Sequence, residues 1–294
     1  MNILVIGGTR FFGIHTVNAL LKQGHDVTLA IRGNTKNVFG DKVSYIEIER
    51  TNPESMRAAL SDKHFDVVID KIAYCSYDLK YALDVINCNK YILMSTTAVY
   101  YPKHLKSFEK EWNPITKELV WCKRLEFPYD VIKRSAECAL FQKYPEQNAI
   151  AVRYPFVIGE DDYTKRFYFY VEHTIKQIPM YIDNIDYQMG FINSKEAGEF
   201  MAYLVNTNFT GAINGCSVGT ISLREIINYV EEKTGAKAVL DNSGDTAPYN
   251  GEVEYSINTD KAKKLGYEFS NLNDWIYKLI DIYIEQVKQT DWNK

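Results

Sequence analysis

Short apolar runs alternate with amphipathic stretches through the first half of this chain, and that alternation leaves few folds open. The runs are NILVI (2–6), DVTLAI (26–31), SYIEI (44–48), FDVVID (65–70), KYILMS (90–95) and NAIAVRY (148–154). Helical patterns separate them: one near 13–23 with Gly24 at its end, then PESMRAAL (53–60), DLKYALDVI (78–86) and DVIKRSAECALFQKY (130–144). Strands that are apolar along their whole length are buried on both faces, the condition of a parallel sheet covered by helices. Right-handed crossovers then give a doubly wound α/β fold.

Beyond residue 155 the pattern loosens. It predicts a helix over 165–177, a short strand MGFI (189–192), an amphipathic helix SLREIINYVEEKTG (222–235) with Gly235 as its C-cap, and a C-terminal helix over 271–287. The expected division is a dinucleotide-binding domain over 1–155 and a small, mainly substrate-binding lobe over 156–294, interleaved with the sheet. The net charge of −4, from 34 basic against 38 acidic residues, gives no electrostatic reason to expect nucleic acid or a membrane as partner. Five dispersed cysteines without metal spacing read as reduced thiols, and no metal is expected. The N-terminus lacks signal-peptide features and no apolar run is long enough to span a bilayer, so the expected location is the cytoplasm.

GGTRFFG (7–13) lies between the first strand and the first helix. A glycine turn there places a helix N-terminus, with its unpaired N–H groups and positive dipole end, against a phosphate. Gly7 makes the turn, and Gly13 lets helix and strand approach. Dinucleotide turns usually continue with an acid at the end of the second strand, for the ribose hydroxyls. Here that strand ends LAIRGN. Arg32, with Arg10 leaving the turn nearby, suits a 2′-phosphate, so NADP is the expected cofactor; Glu49, expected to end the third strand near the adenine, keeps NAD open.

Two later stretches carry the chemistry. KYILMSTTAVYY brings Ser95, Thr96 and Thr97 to a strand end, and FPYDVIKRSAE places Tyr129 and Lys133 four apart on a helix, sharing one face. An ammonium beside a phenol lowers its pKa. Tyr129 is then a general acid/base for a secondary alcohol or ketone, with Thr96 bonded to the same oxygen.

In order, GGTRFFG, STTAVY, YDVIK, AVRYPFVIG, FINSKEAG, SLREIINYV and NTDKAKKLGY resemble landmarks of the extended short-chain dehydrogenase/reductases, the NAD-dependent epimerase/dehydratase family, in a GGTRF-type subgroup. The resemblance implies a Rossmann-type sheet with a small C-terminal α/β substrate lobe. It implies Tyr129 as acid/base, Lys133 as its partner and a contact of the nicotinamide ribose, Thr96 as the hydroxyl partner, and Pro155 beside the nicotinamide. The expected cofactor-binding residues are Gly7, Thr9, Arg10, Phe11, Phe12, Gly13, Arg32, Glu49, Ala73 and Pro155. Family members pair through the helices near 78–87 and 130–143, so Leu79, Ala82, Leu83 and Ile86 suit either a homodimer seam or packing on the sheet.

The chain departs from the family at three points. Arg10 replaces the middle glycine of the turn. Thr96-Thr97-Ala98 stands where dehydratases carry Thr-Asp-Glu, which argues against 4,6-dehydration. Met189-Gly190-Phe191 stands where sugar-nucleotide enzymes often carry an arginine for the substrate pyrophosphate, and a later arginine is also missing; Arg166 or Lys165 are candidate substitutes. Trp112 and Trp121 either wall the nicotinamide pocket or pack, and Phe167, Tyr168 and Tyr170 either line the substrate pocket or form a buried helix face. The expected function is an NAD(P)-dependent epimerase or reductase acting on a small molecule. The alternative is a non-enzymatic NADP-sensing or RNA-binding relative.

Overall fold

A computed structural model describes residues 1–34 and 38–292. Its elements in chain order are β1 (Asn2–Ile6), α1 (Phe12–Lys22), β2 (Asp26–Ile31), β3 (Ser44–Glu47), α2 (Pro53–Leu60), β4 (His64–Asp70), α3 (Ser76–Leu83), β5 (Asn87–Thr96), α4 (Tyr129–Lys143) and β6 (Ala149–Tyr154). There follow β7 (Phe156–Ile158), α5 (Arg166–Lys176), β8 (Met180–Tyr181), β9 (Phe191–Asn193), α6 (Ser194–Val205), β10 (Gly211–Asn214), α7 (Leu223–Thr234), β11 (Asp245–Thr246), α8 (Asp260–Lys264) and α9 (Ile276–Trp292).

Seven strands form one parallel sheet in the order β10-β6-β5-β4-β1-β2-β3. Successive strand residues face opposite sides, and β1 shows the consequence. Ile3 and Val5 pack with Val17 and Leu20 of α1 and Phe200 and Met201 of α6. Leu4 and Ile6 pack with Met56 and Leu60 of α2, Leu79 of α3, and Ala136 and Leu140 of α4. Both faces are therefore apolar, which is why the runs show no polar alternation. Leu79, Ala82 and Ile86 are buried in this second layer within the single chain, so they pack on the sheet.

Residues 194–214 return to the sheet: α6 lies on α1, and β10 pairs with β6 as the edge strand. Gly198 makes the helix contact possible, because a Cβ there would stand 2.6 Å from the Thr16 backbone nitrogen and 2.7 Å from the Phe12 carbonyl. The lobe is a separate core in which α5, α7 and α9 pack around Phe167, Tyr170, Phe191 and Ile280. Ser222 and Glu225 cap α7 reciprocally, and Gly235 ends it in the left-handed conformation at φ 73°. Phe167, Tyr168 and Tyr170 belong to this core, the buried-face alternative of the two expected. The C-terminal helix starts later than its sequence pattern suggests, since residues 272–274 form a single 3-10 turn before α9.

The strand order reverses between β1 and β4, and ligands of such sheets bind beyond the carboxyl ends at that switch point. Gly7, Arg32, Lys71, Thr97 and Pro155 are the residues that immediately follow β1, β2, β4, β5 and β6.

Candidate active site

Gly7 has φ +95° and donates its N–H to the Ala30 carbonyl at 3.0 Å, which fixes the turn against β2. Gly13 sits so close to Gly8 that a Cβ would lie 2.8 Å from the Gly8 Cα. Any larger residue would push α1 off the strand. Among the described residues, the N–H groups of Arg10, Phe11 and Phe12 have no acceptor, and the first turn of α1 carries no acid. Free N–H groups, a positive dipole end and no opposing carboxylate in that turn fit a phosphate. Thr9 is buried beneath the turn, while Phe11 and Phe12 carry its wall into the adjoining cleft.

Arg10, in the turn, and Arg32, after β2, are both exposed, and among the described residues neither has an ion-pair partner. Glu49 lies two residues beyond β3 rather than at its end, and its carboxylate accepts the Thr51 hydroxyl at 2.8 Å and the Thr51 N–H at 3.2 Å. Those two bonds, with lesser help from Arg32 and Arg124, hold it below the usual carboxylate range. Ala73 is buried, and its carbonyl is taken by Lys133.

The cleft has a volume of about 280 Å³ and is lined by Thr96, Tyr129, Tyr154, Pro155, Phe156 and Arg166, among others. Thr96 ends β5 and accepts the Ala98 N–H at 3.2 Å, which orients its side chain. Tyr129 opens α4. Half of the residue is exposed, yet its hydroxyl end turns inward. Burial pushes that phenol up to about 12, although a hydrogen bond with Thr96 and the Arg166 guanidinium both favour ionisation. The neutral phenol is therefore its resting form.

Lys133 is placed differently from the simple expectation of an ammonium against the phenol. It is fully buried one turn along α4, and its Nζ donates to the Ala73 carbonyl at 2.9 Å and the Met94 carbonyl at 2.7 Å. Burial draws it down to about 8. Two backbone acceptors beneath the cleft hold the ammonium toward the sheet, so Arg166 is the cation that acts on Tyr129 here. The sequence offers Arg166, opening α5 in the KRFYFYVEH stretch, as a substrate-binding candidate but carries no signal of its place beside Tyr129.

A buried polar network lies under the cleft, and its one mark in the sequence is a lone arginine inside the run NAIAVRY. Arg153 Nε donates to Glu137 Oε1 at 3.0 Å and Nη2 to Oε2 at 2.5 Å, with neither side chain exposed. Its remaining N–H groups go to the Tyr100 hydroxyl at 3.1 Å and to the carbonyls of Glu109 and Trp112. Ser95 donates to the same Glu137. Trp112 and Trp121 do not line the cleft; they pack, Trp121 against Tyr77. Lys103 is the part of the 101–128 segment that reaches the cleft, paired with Glu252 at 2.6 Å. All five cysteines are free thiols, no cluster of metal-ligating side chains occurs among the described residues, and no described helix is long and apolar enough to cross a membrane.

A doubly wound sheet with a phosphate turn and a hydroxyl-lined cleft at its switch point defines the class. A sequence model of the NAD dependent epimerase/dehydratase family matches residues 3–214, and the chain belongs to that family. The chain is 30% identical over 112 residues to the chloroplast stem-loop binding protein of 41 kDa b from Arabidopsis thaliana, and 34% identical over 77 residues to a UDP-glucose 4-epimerase from Neisseria meningitidis. These matches take in 33% and 23% of the chain and span only 30% and 23% of the relatives' own lengths. The fold is that of UDP-glucuronic acid 4-epimerase from Bacillus cereus, solved with NAD (TM-score 0.73, 21% identity, 98% of each chain). It is also that of vestitone reductase from alfalfa (TM-score 0.69, 18% identity, 99% of each chain).

Proposed function

We propose that the protein is an NAD(P)-dependent oxidoreductase or epimerase acting at a secondary alcohol or ketone, with Tyr129 as acid/base. The observation that carries this reading is the meeting of Thr96 and Tyr129 on a cleft whose wall, Phe11 and Phe12, continues from the phosphate turn. A bound nicotinamide supplies or accepts the hydride. Tyr129 does the complementary proton work: it gives its hydroxyl proton to the carbonyl oxygen in reduction and, as phenolate, takes the proton back in oxidation. Thr96 hydrogen-bonds the same oxygen and orients it. Arg166 favours the phenolate through space, and Lys133, held by two carbonyls, braces α4 against β5. Oxidation and reduction on opposite faces of one carbon give epimerisation; reduction alone gives a reductase.

The cofactor we favour is NADP, with the exposed Arg10 and Arg32 taking the 2′-phosphate while Glu49 is engaged by Thr51. Arg32→Ala is expected to weaken NADPH about tenfold or more and NADH less than twofold, as loss of one charge-assisted hydrogen bond implies; fluorescence titration of both nucleotides checks it, and equal losses would remove Arg32 from the discrimination. Thr97 and Ala98 bring no carboxylate to the place where dehydratases carry an acid, so 4,6-dehydration is not part of the proposal. Met189 is fully buried, so Arg166 is the guanidinium left to meet a charged substrate, a nucleotide sugar among them. A panel of nucleotide sugars and small ketones tests the function. Turnover with tightly retained cofactor marks an epimerase, and a stoichiometric demand for NADPH or NADH marks a reductase. Salt-sensitive retention of structured RNA with no turnover on any of them would replace the proposal.

A further inference from the structure

Lys71 follows β4 directly at the switch point and takes no part in the networks around it. Its neighbour Asp70 turns to Arg50 Nη2 and the Tyr91 hydroxyl, both at 2.6 Å. Lys71 turns instead to α1. Its ammonium stands 3.8 Å from the centroid of the Phe12 ring and 2.5 Å from the place that a Cβ on Gly13 would take. Only 7% of the residue is exposed. Among the described residues no oxygen accepts a hydrogen bond from it. Asp161 acts on it through space; of that carboxylate, Oδ1 accepts the Ser194 hydroxyl at 2.6 Å, and Oδ2 lies 3.2 Å from His15 Nε2 without a hydrogen bond to it or to Lys71 among the described residues.

A buried ammonium without an acceptor is expensive, and chains keep one where it has work to do. Burial draws this one down to about 7, against the opposing pull of Asp161. The ring it covers belongs to Phe12, whose N–H, like that of Phe11, has no acceptor among the described residues. Free donors, a positive dipole end and a cation thus belong to one turn, and a diphosphate is the anion of matching charge and reach.

We infer that Lys71 is a diphosphate-binding residue, a cation built into the glycine turn that takes the pyrophosphate of the dinucleotide together with the free N–H groups of α1. The inference rests on the cofactor reading above and adds to it a contact from the strand opposite the turn. It predicts that affinity for the pyrophosphate portion depends on this side chain whichever ribose is attached.

The test titrates NADH, ADP-ribose and inorganic pyrophosphate into the wild type and into Lys71→Met, with thermal melts to confirm folding. Loss of a charge-assisted contact is expected to weaken all three by about ten- to a hundredfold, and Lys71→Arg is expected to recover most of that loss. Unchanged affinities in a folded Lys71→Met would overturn the inference. A wild type that binds neither NADH nor NADPH would sink the cofactor reading instead, and the pyrophosphate arm would still decide the role of the lysine. Should Lys71→Met not fold, the wild type decides alone: pyrophosphate is expected to protect the Lys71 amine from acetic anhydride, and equal labelling with and without it overturns the inference.

Discussion

Tyr129→Phe is expected to lower turnover by about a thousandfold, within the usual range for removing a general acid or base, while NADH and NADPH bind within twofold of the wild type. The substitution deletes one hydroxyl and keeps the ring that packs edge-on to Tyr74 at 6.3 Å between centroids. It therefore removes the transferable proton and leaves the wall of the cleft. Thr96→Val is expected to do less, because Thr96 orients the oxygen without exchanging its proton. The two effects should not add, since both residues serve one oxygen. Steady-state rates with bound or added cofactor check both expectations. A Tyr129→Phe enzyme with full activity would require a different proton donor, and none of the other lining residues has a hydroxyl so placed beside a guanidinium.

The second large effect is on stability. Arg153→Met is expected to cost about 3–5 kcal/mol, because it leaves Glu137 as an unpaired buried charge, and to lower the melting temperature by roughly 10 °C. It also strips the Tyr100 hydroxyl and the carbonyls of Glu109 and Trp112 of their donor. Adding Glu137→Gln to Arg153→Met should recover part of the loss, since the second change removes the stranded charge. A double-mutant cycle by thermal and urea melts measures the recovery. Strictly additive losses would show that the pair is not coupled as its geometry implies. Because Ser95 donates to the same carboxylate beside Thr96, the network also supports the floor of the cleft.

How far the fold could be read from the chain depended on the length and purity of each apolar run. The core strands β1 and β6 are buried on both faces almost throughout, and β2, β4 and β5 are so over the apolar part of each run; the arginine inside the β6 run, Arg153, has a task. The edge strand β10 has little signal in the sequence because GAIN is four residues long and begins with a glycine. The helix α6 has little because Gly198 interrupts its pattern, and only the contact with α1 explains that glycine. In the site, the turn and the placing of Tyr129 and Lys133 on one helix follow from local spacing, and Thr96 follows from its place at a strand end. The direction taken by Lys133 does not, because two carbonyls from distant segments decide it. Lys71 lies in unremarkable local sequence, and only the packing of α1 gives it a role; Arg166 stands out in the sequence as a candidate for a charged substrate, and its place beside Tyr129 comes from the packing of the lobe against the sheet edge.

The most direct test of the account is a crystal structure of the protein with NADPH or NADH bound. The account predicts the pyrophosphate on the Gly7–Gly13 turn against Lys71, the nicotinamide beside Pro155, and the Tyr129 hydroxyl facing its reactive carbon. A nucleotide bound away from that turn, or a nicotinamide out of reach of Tyr129, would contradict it.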